Sequence, residues 1–164
     1  MNVIFHTATA VGIFTAVNTS SSHLLIKASI AFFGGIMLHG ILDYTPHCYP
    51  ISAKVDILIS AAVIMLLLLV TTKKSKLLFI ISILGNTFPD LVDLGPSMIN
   101  KYLGCHIPII DAIFPWHWKQ YSGSIYRGDC IVSDFNHWVV LFGVITTVTL
   151  NGYPHKRVTV RKKR

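Results

Sequence analysis

The chain has no Glu at all; its seven acids are all Asp. Charged residues make up only 13% of the 164, about half the share found in ordinary soluble domains. That is too little polar side chain to coat a globule whose residues are 52% apolar. These shortages exclude a soluble enzyme, a disordered tail and a coiled coil. The length suits one domain and is too short for two of ordinary size. What remains is a membrane protein.

Five apolar runs are long enough to be considered as spanning helices: Val3 to Val17, Leu24 to Leu42, Val55 to Val70, Leu77 to Leu94 and Phe135 to Leu150. Most lie at or slightly below the roughly 17–25 residues that a bilayer core demands. The first run has no Lys or Arg ahead of it, so the charged region of a signal peptide is missing and a retained helix is expected. The expected fold is therefore all-α. It is a polytopic membrane helical bundle of about five spanning helices, with an extracytoplasmic loop between helices four and five. Residues 1–154 form the membrane-embedded domain and residues 155–164 a basic cytoplasmic tail.

Charge sets the expected orientation, because Lys and Arg collect on the cytoplasmic side of short loops. Lys27, Lys73, Lys74 and Lys76 fall on the same side as Lys156, Arg157 and the closing Arg161–Lys162–Lys163–Arg164. That side holds ten cations and no acid, while the other holds four cations and all seven Asp. The N-terminus is then outside and the C-terminus inside. The basic tail reads as a topology anchor touching anionic lipid, with membrane lipids and no nucleic acid as partners. Trp116 and Trp118, in the long segment 95–134, read as interfacial anchors.

An ionisable side chain inside a spanning segment is costly without a partner and marks a functional candidate. His6, His39, Asp90, Asp93 and His137 lie in the apolar runs, while Asp43 directly follows the second run and His47 lies close beyond it. In a five-span topology all seven fall at the same, extracytoplasmic depth. His39 and Asp43 are four apart and share a helical face, as do Asp90 and Asp93, three apart. Pro46 disfavours helix at Thr45, so His47 is expected from a turn. Pro89 cannot donate to the Gly85 carbonyl, and a local kink is expected there. His117 is open between ligand and loop residue. His23, His106 and His155 read as loop residues, and Asp56, Asp111, Asp129 and Asp134 as solvated helix ends or loop residues.

Imidazole nitrogen and carboxylate oxygen without thiolate suit Zn²⁺ in a hydrolytic site, with Mn²⁺ or Fe²⁺ as lesser choices. The three cysteines, Cys48, Cys105 and Cys130, leave at least one unpaired. A disulfide across the long loop, Cys105 to Cys130, is one option in an oxidising compartment.

The run His39-Gly-Ile-Leu-Asp43-Tyr-Thr-Pro-His47, followed by Gly85-Asn-Thr-Phe-Pro-Asp90-Leu-Val-Asp93, resembles the membrane-bound metal-dependent hydrolases. These LexA-binding, inner-membrane-associated proteins are grouped with zinc-dependent phospholipase C and its related nucleases. His6, the His39/Asp43/His47 set, Pro89–Asp90 and His137 match the family pattern in order. The resemblance implies a helical zinc-binding core, phosphoester hydrolysis and a bacterial inner membrane. On that reading His6, His39, Asp43, His47 and Asp90 are metal ligands. His137 orients the phosphate or is a further ligand, and Asp93 is a bridging ligand or general base. A lipid or lipid-linked phosphate is the natural substrate. The alternative is a non-catalytic membrane protein whose His/Asp cluster is a structural metal or hydrogen-bond site.

Overall fold

The computed structural model describes residues 1–152. The basic tail expected over 155–164 lies outside the described residues, as does His155. The chain forms α1 (Val3–Asn18), α2 (Leu24–Tyr44), α3 (Ala53–Val70), α4 (Lys73–Asp93), α5 (Gly95–Leu103) and α6 (Ile131–Gly152), with one 3-10 turn at Pro115–His117. Four of these, α2, α3, α4 and α6, are long and apolar enough to cross a membrane, and α1 is a shorter apolar helix. The five predicted runs are thus the five long helices of an all-α polytopic bundle, and among the described residues there is no strand.

Local chemistry explains the boundaries. Pro46 restricts Thr45 to the extended conformation, with φ −69° and ψ 134°, and α2 stops at Tyr44. Helix α5 opens with a Pro in its first turn and ends on Gly104, whose φ of +64° suits a residue without a Cβ. Pro89 stays within α4, which continues to Asp93.

The packing inverts that of a soluble protein. Asn2, His6, Thr7, His39, Ser82, Asn86 and Ser133 are almost wholly buried, while Leu58, Leu69 and Phe142 are largely exposed. Polar side chains tie the helices from within. Ser82 donates to the Ala10 carbonyl at 2.7 Å, and the Asn86 amide to Thr9 at 3.3 Å, both joining α1 to α4. Apolar faces need no covering where the surroundings are hydrocarbon, whereas buried polar groups there need partners.

The tightest contact is between α2 and α4. A Cβ on Gly35 would stand 2.7 Å from the Asn86 nitrogen, and one on Gly85 would stand 2.7 Å from the Phe32 Cα. Two glycines therefore let the backbones touch, as small residues do at membrane helix crossings.

Asp56, expected as a solvated helix end, is instead buried. Its carboxylate accepts from the backbone N–H groups of Val3 (2.6 Å) and Ile4 (3.0 Å) and from the Asn2 amide (3.1 Å). The first turn of α1 has free N–H donors and a positive dipole end, and Asp56 from α3 satisfies both. This cross-helix cap was not legible from spacing within either helix.

The cysteine pairing also differs from expectation. Cys48 and Cys130 form the disulfide, with Cα atoms 5.9 Å apart, and Cys105 is free and exposed. Cys48 lies just past α2 because Pro46 turns the chain there, and its N–H donates to Ser133 near the start of α6 at 2.7 Å. Cys105 follows α5, two residues after its last helical residue. The bridge closes 82 residues of chain, a span for which loop-closure entropy allows up to about 4 kcal/mol of stabilisation.

The Asp56 cap can be tested directly. Asp56→Ala should lower the stability of detergent-purified protein by about 2–3 kcal/mol, since it strips charge-assisted bonds from buried donors. Asp111→Ala, at an exposed loop position, should leave the thermal midpoint unchanged.

Candidate metal centre

The Gly35–Gly85 crossing sets the register of the site. His39 lies one turn beyond Gly35, and Asn86 and Asp90 lie just past Gly85, so these side chains face one another across the crossing. His39 donates its Nδ1–H to the Asn86 carbonyl at 2.6 Å. That carbonyl neighbours the Gly85 oxygen, which Pro89 cannot serve. With Nδ1 committed as donor, the Nε2 of neutral His39 presents a lone pair.

Facing it are Asp43, one turn further along α2, and Asp90 on α4. His39 Nε2 lies 3.1 Å from Asp43 Oδ2 and 3.6 Å from Asp90 Oδ1. The fourth member is His117, from the 3-10 turn in the long loop. Its Nε2 is 3.3 Å from His39 Nε2, 3.4 Å from Asp43 Oδ2 and 3.3 Å from Asp90 Oδ1. The ligand atoms of His39, Asp43, Asp90 and His117 all fall within 4.8 Å of one another.

Asp93 delivers His117. Its fully buried carboxylate accepts from the backbone N–H groups of Ile113 (2.9 Å) and Phe114 (3.0 Å) and from His117 Nδ1 (2.7 Å). The carboxylate thus anchors the loop and fixes the tautomer of the imidazole it carries. Burial opposes protonation of His117, but the carboxylates of Asp43, Asp90 and Asp93 outweigh it and raise its pKa to about 10.

The donor set fits a metal ion. Both imidazoles commit Nδ1 as donor and turn Nε2 inward, and the two other inward atoms belong to carboxylates. Among the described residues no Lys or Arg pairs with either carboxylate; the partners are imidazoles and the Met1 amino group. A tetrahedral ion with ligands at about 2.0–2.1 Å separates its donor atoms by about 3.3 Å. Five of the donor–donor separations lie between 3.1 and 3.6 Å.

The remaining expected site residues fall around this group. His6 lies against it: its ring stacks on His39 at 4.2 Å, its Nε2 is 3.1 Å from Asp43 Oδ1, and its Nδ1 is buried without a partner. Asp43 thus presents Oδ2 to the four-residue group and Oδ1 to His6 and the Met1 amino group. Asp93 stands behind His117, with its oxygens occupied by donors. His47 lies outside the group. Pro46 turns it away, its Nδ1 donates to the Thr45 carbonyl at 2.7 Å, and its Nε2 accepts from Tyr49 at 3.1 Å. His137, on α6, stacks on Phe5 at 4.3 Å outside the group, with its Nε2 buried and unpartnered. His117 takes the place that spacing assigned to His47. Its only sequence signal is a His among aromatics in a loop, and helical periodicity does not reach it.

No protein-family model, curated protein or solved structure matches the chain. The geometry therefore stands by itself: an all-helical, membrane-type bundle with a His/Asp group that can hold a metal ion.

Purified protein should carry about one equivalent of divalent metal, and chelation should lower its thermal midpoint, since an ion bound only to the folded state stabilises it. His39→Ala, Asp90→Ala and His117→Ala should each lose the metal, whereas His47→Gln should keep it. Full metal retention in His117→Ala would exclude the loop from the centre. His47 supplies a separate pH test. Burial lowers its pKa to about 4, so its contribution to stability is complete above about 6.5 and is lost as pH falls towards 4. The thermal midpoint should fall across that window, and His47→Gln should reduce the fall.

Proposed function

We propose that the protein is a membrane-embedded hydrolase, zinc-dependent, that cleaves a phosphoester presented at the extracytoplasmic leaflet. The observation that carries this reading is the convergence of two oriented imidazoles and two carboxylates within 4.8 Å of one another, with one member open to solvent. The Asp90 side chain is 32% exposed, against 12% for Asp43 and none for His39. Substrate and water can therefore reach the group on the Asp90 side. Lys27 at the start of α2 and Lys73, Lys74 and Lys76 at the start of α4 lie at the helix ends opposite the group and support the orientation, and the resemblance to the membrane-bound metal-dependent hydrolases supports the reaction class.

A bound zinc ion supplies Lewis acidity, activating water near neutral pH and polarising a phosphoryl oxygen. The chain's own groups do the rest. His39 and His117 are held by Asn86 and Asp93 in the tautomer that turns Nε2 inward. Asp43 shares its two oxygens between the group and His6, which sets the His6 ring beside the reaction zone. Asp90, the exposed carboxylate of the group, is the member that substrate and water meet first. Asp93 acts through His117 and is a positioning residue. The polar substrate part sits at the end of the bundle, where a lipid or lipid-linked phosphate headgroup lies.

The pH profile and two variants test this assignment. Turnover of phosphoesters by zinc-loaded protein should rise through a limb near pH 7. Asp93→Asn should weaken metal binding by about 10–100-fold, the usual cost of losing the partner that orients a ligating His. Asp90→Glu, keeping the carboxylate, should retain more activity than Asp90→Asn. Metal-loaded protein that turns over no phosphoester across a lipid and lipid-linked panel, yet loses stability on chelation, would reassign the group to a structural role.

A further inference from the structure

A cavity of about 450 Å³ adjoins the metal group, lined by Met37, Gly40, Ile41 and Tyr44 of α2 and by Pro115 and Trp116 of the loop. Its volume lies in the range of small-molecule sites. The four α2 residues follow the 3–4–7 spacing of one helix face. At about 100° per residue, Gly40 lies between that face and the one carrying Asp43. Trp116 covers the boundary: a Cβ on Gly40 would stand 2.7 Å from its ring, so only glycine admits the indole here. Trp116 directly precedes His117, and its ring centroid is 6.4 Å from that of His39. One wall thus separates an apolar cavity from the inward imidazoles. The indole N–H in that wall is buried with no acceptor.

We propose that this cavity seats an acyl chain of a membrane lipid phosphoester, which enters sideways from the bilayer along α2 with its headgroup at the metal group. The proposal rests on the hydrolase reading and names how its substrate is held. The occupant follows from the mouth. Met37, Ile41 and Tyr44 are 64%, 56% and 63% exposed on a helix long and apolar enough to cross a membrane. The medium at that surface is lipid chain, and no charged residue lines the cavity to favour a soluble ligand. Trp116 is then a specificity-determining residue, and Gly40 is the residue that lets it stand there.

The test uses zinc-loaded full-length protein in phosphatidylcholine vesicles containing a small share of phosphatidate with a photoreactive diazirine on its acyl chain. Cross-links should concentrate in residues 37–45 and 115–121, severalfold above those on the outward residues Leu58, Leu66 and Leu69 of α3. Ile41→Trp, which fills the cavity, should remove that enrichment, and Met37→Trp serves if the first variant does not fold. Leu58→Trp should change nothing. Equal labelling of the cavity and α3 would overturn the proposal, reducing the cavity to ordinary lipid contact. Labelling requires no turnover, so the two readings fail separately. Absence of all phosphoester hydrolysis with enriched labelling would remove the catalytic reading alone. Hydrolysis of a water-soluble phosphomonoester with even labelling would remove the acyl seat alone.

Discussion

The backbone contact between α2 and α4 is the constraint from which the site follows. Between helices in lipid there is no hydrophobic driving force, so association depends on close packing and on polar contacts. Gly35 and Gly85 allow the close packing, and the crossing is near enough for His39 to reach the Asn86 carbonyl at 2.6 Å. That bond orients an imidazole and supplies a polar contact between the same two helices. Asp43 and Asp90 then converge because each sits one turn beyond a residue at the crossing. A larger side chain at either glycine would separate all three groups together.

The loop is built to add the fourth group. A segment without regular structure cannot hold a side chain in place by its own backbone ladder, so its donors need outside acceptors. Asp93 at the end of α4 takes two backbone N–H groups and the His117 ring at once. At the loop's other end, Gly123 donates to the Asp43 carbonyl at 2.7 Å, and His47 exchanges backbone bonds with Gly123 and Ile125 at 2.8 Å each. The Cys48–Cys130 disulfide ties the same junction to α6. Both attachments run to the ends of α2 and α4, so the loop moves with the crossing rather than apart from it.

Much of this was legible in the chain alone. The five apolar runs became five long helices because long hydrocarbon-facing segments permit little else. The shared depth of His6, His39, Asp43, Asp90, Asp93 and His137 follows from the same topology, and the i and i+4 spacing of His39 and Asp43 became a 3.1 Å contact. Spacing failed where partners come from another element. His117 arrives from a loop whose path depends on Asp93. His47 is only four residues beyond Asp43, but Pro46 breaks the helix and removes it from the stripe. Asp56 caps a helix two elements earlier in the chain, and Cys130 pairs with Cys48 because the end of α2 meets the start of α6. Periodicity describes one helix at a time and carries no information about such meetings.

The inward face of the group sets it apart from the hydrogen-bonded contacts elsewhere in the bundle. A polar network satisfies a membrane interior when donors and acceptors alternate, as Ser82 with Ala10 and Asn86 with Thr9 do. At His39, Asp43 and His117 the outward atoms are paired in that way, while two imidazole Nε2 atoms and two carboxylate oxygens converge on the inside. Protons can relieve part of this excess, and three carboxylates holding His117 protonated to about pH 10 is the metal-free form of that relief. A proton shared along one line satisfies two atoms; a divalent cation at the centre satisfies four. The four inward atoms lie within 4.8 Å of one another, close enough for a single ion to reach all of them.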